Sequence, residues 1–308
     1  MIPCWNESSP VADPSPPRIL VHGTFCLDRV LRVPRLPVGG YVEISEETWG
    51  LGGEAANTVA NLVKWGAAVR FLPNPVGTDA ESDRLLHLAE QAGLPLDHAI
   101  REPGATVPVC QIYVTPDGER TMFGQGFSAL AEGELQPFDC SNCGWFTTDS
   151  NFGTLGAKAL DHARSSGLYT VAMDYAHKDN PPFADIHLTS LDWLKEDPAD
   201  WARRTKQTVL LTKGMEGSEL HTPDASRVFP AYPARRVVDT TGAGDCFRAG
   251  LLYGLQQGQS LGAAIRFASA AASLSVAELG ACGGIPTLEQ VLRVIEEYEE
   301  VSASFDQT

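Results

Sequence analysis

Basic residues are scarce in this chain. Its 308 residues hold 23 Lys+Arg against 39 Asp+Glu, a formal net charge of 23 − 39 = −16. No run of Lys or Arg occurs, so the counterion-displacing face of a general nucleic-acid binder is missing. Long apolar runs are missing too. The nearest, residues 263–277, is mostly Ala and is broken by Arg266, Ser269, Ser273 and Ser275, so no membrane span is expected. The N-terminus has no charged segment leading into an apolar core, so no secretory signal is expected. Cysteine is sparse: seven, an odd and scattered count, which predicts a reducing, cytoplasmic setting without disulfides. Cys140 and Cys143 form a lone C-x-x-C with no second pair, and read as two ordinary loop thiols. The P-loop, the dinucleotide G-x-G-x-x-G, H-E-x-x-H and G-x-S-x-G are all absent. The seven His show no ligand spacing.

What remains is an ordinary globular composition, 43% apolar and 20% charged, in a chain long enough to bury a core without metals or disulfides. Residues 1–17 are rich in Pro and Ser and are expected to be a disordered lead-in. From residue 18 to 305, short apolar strands alternate with amphipathic helices. Strands are predicted at 18–21, 69–72, 145–147, 169–173, 186–188 and 208–212. Helices are predicted at 55–63, 83–91, 155–164, 243–256, 261–278 and 288–299. Alternation of this kind predicts an α/β fold, a three-layer α/β/α sandwich on a mainly parallel sheet. Residues 31–49 and 105–124 instead alternate apolar and polar with period two, and Thr115-Pro116-Asp117-Gly118 is a turn. These predict antiparallel hairpins inserted into the core fold as a small second sheet.

The strongest chemical signal is Asp239-Thr240-Thr241-Gly242-Ala243-Gly244-Asp245. A strand end runs through a Gly-rich turn into a helix whose free N–H groups and dipole favour an anion. Asp245 beside that anion site is electrostatically costly unless it has work there, and taking a proton from an attacking hydroxyl is such work. A second run, Gly52-Gly53-Glu54-Ala55-Ala56-Asn57, opens a helix and aims an amide toward a polyhydroxylated ligand. Arg248, just after the helix starts, could pair with a phosphate or with the surroundings of Asp245, though an Arg at such a position is more often a surface or inter-helix contact.

Together these runs resemble the ribokinase (PfkB) family of carbohydrate kinases over about residues 18–290. The resemblance implies ATP-dependent phosphorylation of a sugar or polyol hydroxyl, with Asp245 as catalytic base and Gly242, Ala243 and Gly244 as the anion hole. It implies acceptor contacts at Asp28, Gly52, Gly53 and Asn57, and an acidic acceptor ligand at Asp149. It implies ATP contacts at Thr212, Gly214 and Gly217 beside Gly244, with Gly280-Ala281-Cys282-Gly283-Gly284-Ile285-Pro286 as the loop after the adenine-side helix. Asp239 falls where members bind a monovalent cation, usually potassium (K+). The family's Asn-x-x-Glu for magnesium (Mg2+) is replaced by Thr189-Ser190-Leu191-Asp192, which leaves Asp192 as the matching acid. Gln125 stands near the place of an Arg found in some sugar-acid kinases. The hairpins match a β lid that covers the sugar and often pairs subunits, which implies a homodimer through the lid. Two further readings follow from the same residues: a nucleoside kinase of this fold, or a catalytically weakened sugar-binding or regulatory homologue. The carbohydrate-kinase reading requires the acid at 245 not to be locked by a basic neighbour.

Overall fold

The computed structural model describes residues 18–117, 119–178 and 180–305; the lead-in expected at 1–17 lies outside them. β1 (Arg18–Gly23) sits inside an eight-stranded sheet. Its apolar side chains alternate between faces, as a strand's period of two requires. Ile19 and Val21 join one core and Leu20 the other. Both faces are therefore covered, which explains why the strand reads as an unbroken apolar run.

The other elements of the large sheet are β4 (Val69–Pro73), β7 (Cys143–Asp149), β8 (Tyr169–Met173), β9 (Ile186–Ser190), β10 (Thr208–Thr212), β11 (Ser218–His221) and β12 (Ser226–Phe229). The order is β12-β11-β10-β9-β8-β7-β1-β4. Pairing is parallel from β4 to β10 and antiparallel for the last two. One face carries α1 (Glu54–Lys64), α5 (Ala243–Gln256) and α6 (Leu261–Ser275). α5 and α6 approach closely at Gly250, where a Cβ would lie 2.7 Å from the Cα of Ala268. The opposite face carries α3 (Gly153–Ser165) and α4 (Pro198–Thr205). α2 (Ala80–Gln91) starts at Asp79, whose side chain accepts from the N–H of Ser82 at 2.8 Å. α7 (Leu288–Phe305) ends the described chain.

A second sheet has the order β3-β2-β5-β6 and is formed by β2 (Cys26–Arg32), β3 (Glu46–Gly52), β5 (Val109–Val114) and β6 (Arg120–Gln125). Both hairpins are antiparallel, and β2 joins them by pairing parallel to β5. β2 begins at Cys26, ahead of the period-two segment that starts at 31 in the sequence. The register sets Asp28 opposite Gly50 and close to Gly52, where a Cβ would lie 2.1 Å from Asp28 Oδ1. Trp49 of β3 is clamped between the guanidinium groups of Arg29 and Arg84, 5.2 and 4.5 Å from its ring centre. No helix among the described residues is long and apolar enough to cross a membrane.

Candidate active site

The parallel strands end together on one edge of the large sheet, where open α/β sheets place their ligands. The turn Asp239–Gly242 enters α5 at this edge. Gly242 has φ 77°, and a Cβ there would meet Ala281 Cα at 2.7 Å, so only glycine fits. The N–H of Ala243 donates back to the carbonyl of Thr240 at 3.2 Å. Among the described residues, the N–H groups of Gly242 and Gly244 have no acceptor. Ala243, expected as a third donor to an anion, supports the turn instead.

Asp245 sits in the first turn of α5 and is 6% exposed. Its Oδ2 accepts from Asn57 Nδ2 at 2.8 Å, while its buried Oδ1 has no hydrogen-bond partner. Burial pushes this carboxyl up to about 7; Arg248 and Asn57 oppose the rise, and Asp149 and Asp174 add to it. α1 delivers Asn57. Gly53 caps that helix with φ 99°, and a Cβ there would lie 2.3 Å from the carbonyl oxygen of Thr24. Asn57 Oδ1 in turn accepts from Cys282 Sγ at 3.3 Å, which fixes its amide so that the NH2 faces Asp245.

Arg248 is an inter-helix contact between α5 and α1 and stands near Asp245, not at the surface. It is fully buried one turn after Asp245. Its Nε donates to Thr58 Oγ1 at 2.8 Å and its Nη2 to the carbonyl of Glu54, while Nη1 has no partner. Nη2 stays 3.6 Å from Asp245 Oδ1, beyond a hydrogen bond. The acid feels the charge without being locked by it. A helix position with a three-residue offset from a carboxylate was the available signal; the burial was not readable.

Two acids near this centre escaped sequence reasoning. Asp174, just past β8 with φ 57°, accepts from Thr189 Oγ1 at 3.1 Å, and burial raises its carboxyl to about 6. Glu54 is raised by burial first, then by Asp149 and Asp245, and its Oε2 is buried without a partner. Asp149, expected as an acceptor ligand, is fully buried and occupied: it accepts from the N–H and Oγ1 of Thr24, both at 2.7 Å. It ties the β1–β2 turn to the end of β7. Asp192 is exposed on the turn after β9. Among the described residues, no group of three or more His, Cys, Asp or Glu is arranged to hold a metal ion.

Asp28 of β2 and Gly52 of β3 lie close together in the second sheet. Burial pushes Asp28 up to about 7, with Asp245 adding to the rise. A cavity of about 190 Å3 opens beside Asp28, lined also by Ile112, Arg120, Asp239, Gly280 and Cys282. Thr212 ends β10, and its Oγ1 donates to the carbonyl of Thr189 at 3.2 Å. Gly214 and Gly217 turn with positive φ, and a Cβ at Gly217 would lie 2.1 Å from the Phe229 carbonyl. The monovalent cation expected at Asp239 does not fit the residues as they stand. Asp239 is buried, which alone would raise its carboxyl. Donors from Thr241, Gly280 and Arg120 hold it below the usual range instead.

Comparison with known proteins bears on the family and the fold. The family model for pfkB family carbohydrate kinases matches residues 17–189 and 184–288. An uncharacterized sugar kinase of Dictyostelium discoideum is 24% identical over 89% of this chain and 96% of its own length. The nucleoside kinase of Methanocaldococcus jannaschii superposes with a TM-score of 0.77 at 21% identity, covering 91% of this chain and 98% of that one. The Arabidopsis thaliana ribokinase complexed with ribose and ATP gives 0.73 at 22% identity, covering 91% and 98%. With an acid and a glycine turn at a helix start, on a sheet closed by a second sheet, and with a family match over most of its length, the chain belongs to the pfkB family of carbohydrate kinases, phosphotransferases that act on a hydroxyl group.

Proposed function

We propose that this protein transfers the γ-phosphoryl group of ATP to a hydroxyl of a small sugar or polyol. The observation that carries the reading is the state of Asp245: one oxygen is held by Asn57 and the other accepts no hydrogen bond, with Arg248 Nη2 3.6 Å away, beside a helix start where Ala243 donates back to Thr240 and no bond is found for the N–H groups of Gly242 and Gly244 among the described residues. Asp245 takes the proton of the attacking hydroxyl, and the two amides hold the charge that develops on the transferring group. Asp28, cradled by Gly52, and Gly53 and Asn57 orient the acceptor; Thr212, Gly214 and Gly217 face the nucleotide. The second sheet covers the acceptor and excludes water, which suppresses hydrolysis of ATP.

Glu54, whose buried Oε2 has no hydrogen-bond partner, and the buried Asp174 would hold the magnesium ion that accompanies ATP, since buried carboxylates suit a hard cation that otherwise keeps phosphate and water ligands. When bound, that ion neutralises charge on the phosphates. Met122 and Phe123 of β6, together with Tyr41, are exposed and support a homodimer through the second sheet. The six cysteines among the described residues are all free, which supports work in the cytoplasm. The deciding experiment is ADP release over a panel of pentoses, hexoses, polyols, sugar acids and nucleosides. Turnover on a sugar or polyol supports the reading. Turnover on nucleosides alone replaces its acceptor class, and ligand-raised melting without turnover points to a regulatory homologue.

A further inference from the structure

Asp239 gathers three pieces of chain. Its Oδ1 accepts from the N–H and Oγ1 of Thr241 at 2.9 and 2.7 Å, and its Oδ2 accepts from the N–H of Gly280 at 2.8 Å. Those bonds tie the Thr240–Gly242 turn to the 279–283 loop, on which Gly242 packs. The third piece comes from the second sheet. Arg120, the first residue of β6, places Nη1 on Asp239 Oδ1 as an ion pair, and its Nη2 donates to Thr240 Oγ1 at 2.7 Å. The Asp239 side chain is 7% exposed and that of Arg120 is 26% exposed.

Among the described residues, Asp239 has no other basic partner. A guanidinium is always charged, and its fork meets a carboxylate and a neighbouring hydroxyl together. Held on a strand, it also stands at a far higher local concentration than a free ion. A second cation against the same carboxylate would be repelled by it.

We propose that Arg120 is the resident cation of the Asp239 turn, and that phosphoryl transfer by this protein therefore needs no added potassium. The inference rests on the proposed kinase activity. It has a structural consequence: the positive charge that steadies the anion-holding turn arrives with the second sheet, so covering the acceptor and ordering the turn become one event.

Two readouts test it. In ADP release at fixed ionic strength, exchanging tetramethylammonium for potassium leaves the wild-type rate unchanged. Arg120→Gln loses about tenfold or more in tetramethylammonium, the scale of one charge-assisted hydrogen bond, and regains part of it in potassium. Arg120→Lys keeps the charge without the fork, so it loses less than Arg120→Gln in tetramethylammonium and gains little from potassium. In thermal melting, which needs no turnover, the wild type melts alike in the two salts, whereas Arg120→Gln melts lower and is raised by potassium. A wild type that potassium activates, or whose melting it specifically raises, overturns the proposal. So does an Arg120→Gln protein that matches the wild type in both salts. If no acceptor is phosphorylated at all, the kinase reading and the potassium-free rate fall together, while the melting data still decide whether Arg120 is the cation of that turn.

Discussion

Arg248 Nη2 stands 3.6 Å from Asp245 Oδ1 and donates to the carbonyl oxygen of Glu54. For the base proposed at Asp245, this spacing means the acid is tuned by the charge rather than locked by it. Asp245 is faced by Asp149 at the end of β7, Asp174 past β8, Glu54 on α1, Asp28 on β2 and the Cys282 thiol, with Arg248 the cation that opposes their effect. A carboxylate so surrounded would stay protonated near neutral pH without a fixed positive charge.

The activity should follow that balance. Asp245 must be ionised to take a proton, and its carboxyl is raised to about 7. The rate kcat/KM is therefore expected to fall as pH drops through about 7. Arg248→Met removes the opposing charge and moves this acid limb to higher pH; Arg248→Lys restores part of it. An unmoved pH profile in Arg248→Met contradicts the assignment.

Stability should respond to pH with a sign set by the same group. The folded carboxyl lies above its ordinary value of 3.8, so between about pH 4 and 7 the native state binds more protons than the unfolded chain. This group's contribution to stability therefore falls as pH rises through that window. Asp245→Asn carries no such loss. Its melting temperature relative to wild type should climb from pH 5 to pH 8, as calorimetry or a thermal-shift series would show.

Gly52 offers a test of the acceptor side alone. A Cβ there would lie 2.1 Å from Asp28 Oδ1, against the end of a side chain that can swing away. Gly52→Ala is expected to raise KM for the acceptor about tenfold, the scale of one lost hydrogen bond to a charged group, with KM for ATP unchanged. Equal changes in both constants would show that Asp28 does not hold the acceptor.

Trp201 of α4 is wholly buried, and its Nε1 donates to the Ala176 carbonyl at 3.2 Å. Trp201→Ala should cost ~3–5 kcal/mol in urea unfolding while leaving the kinetic constants of the folded enzyme alone.

The sequence was most legible where one physical rule acted alone. Unbroken apolar runs such as Ile19-Leu20-Val21 mark strands buried on both faces. Gly53 and Gly242 mark turns that no Cβ fits, and the acids and glycines of 239–245 outline a tight turn into a helix start. α4 was missed because eight residues hold only Trp201 and Ala202 as buried positions, too few for a period to show. β11 and β12 lie at the sheet edge and alternate too briefly. The lone Cys140 and Cys143 are free thiols, as their isolation suggested. Asp149 was misread because an acid at a strand end looks alike whether it faces a ligand or, as here, the N–H and hydroxyl of Thr24 from 125 residues away. The Arg120 and Arg248 contacts join residues 119 and three positions from their acids, and only the folded chain says which of such charges are buried together.

The central claim concerns the acid at the start of α5, and the most direct measurement is the turnover of Asp245→Asn with its best acceptor, beside ATP binding followed by thermal shift. The account predicts a loss of about 10²–10⁴-fold in kcat with the ATP-induced rise in melting temperature retained. An Asp245→Asn protein that phosphorylates its acceptor at the wild-type rate would contradict it.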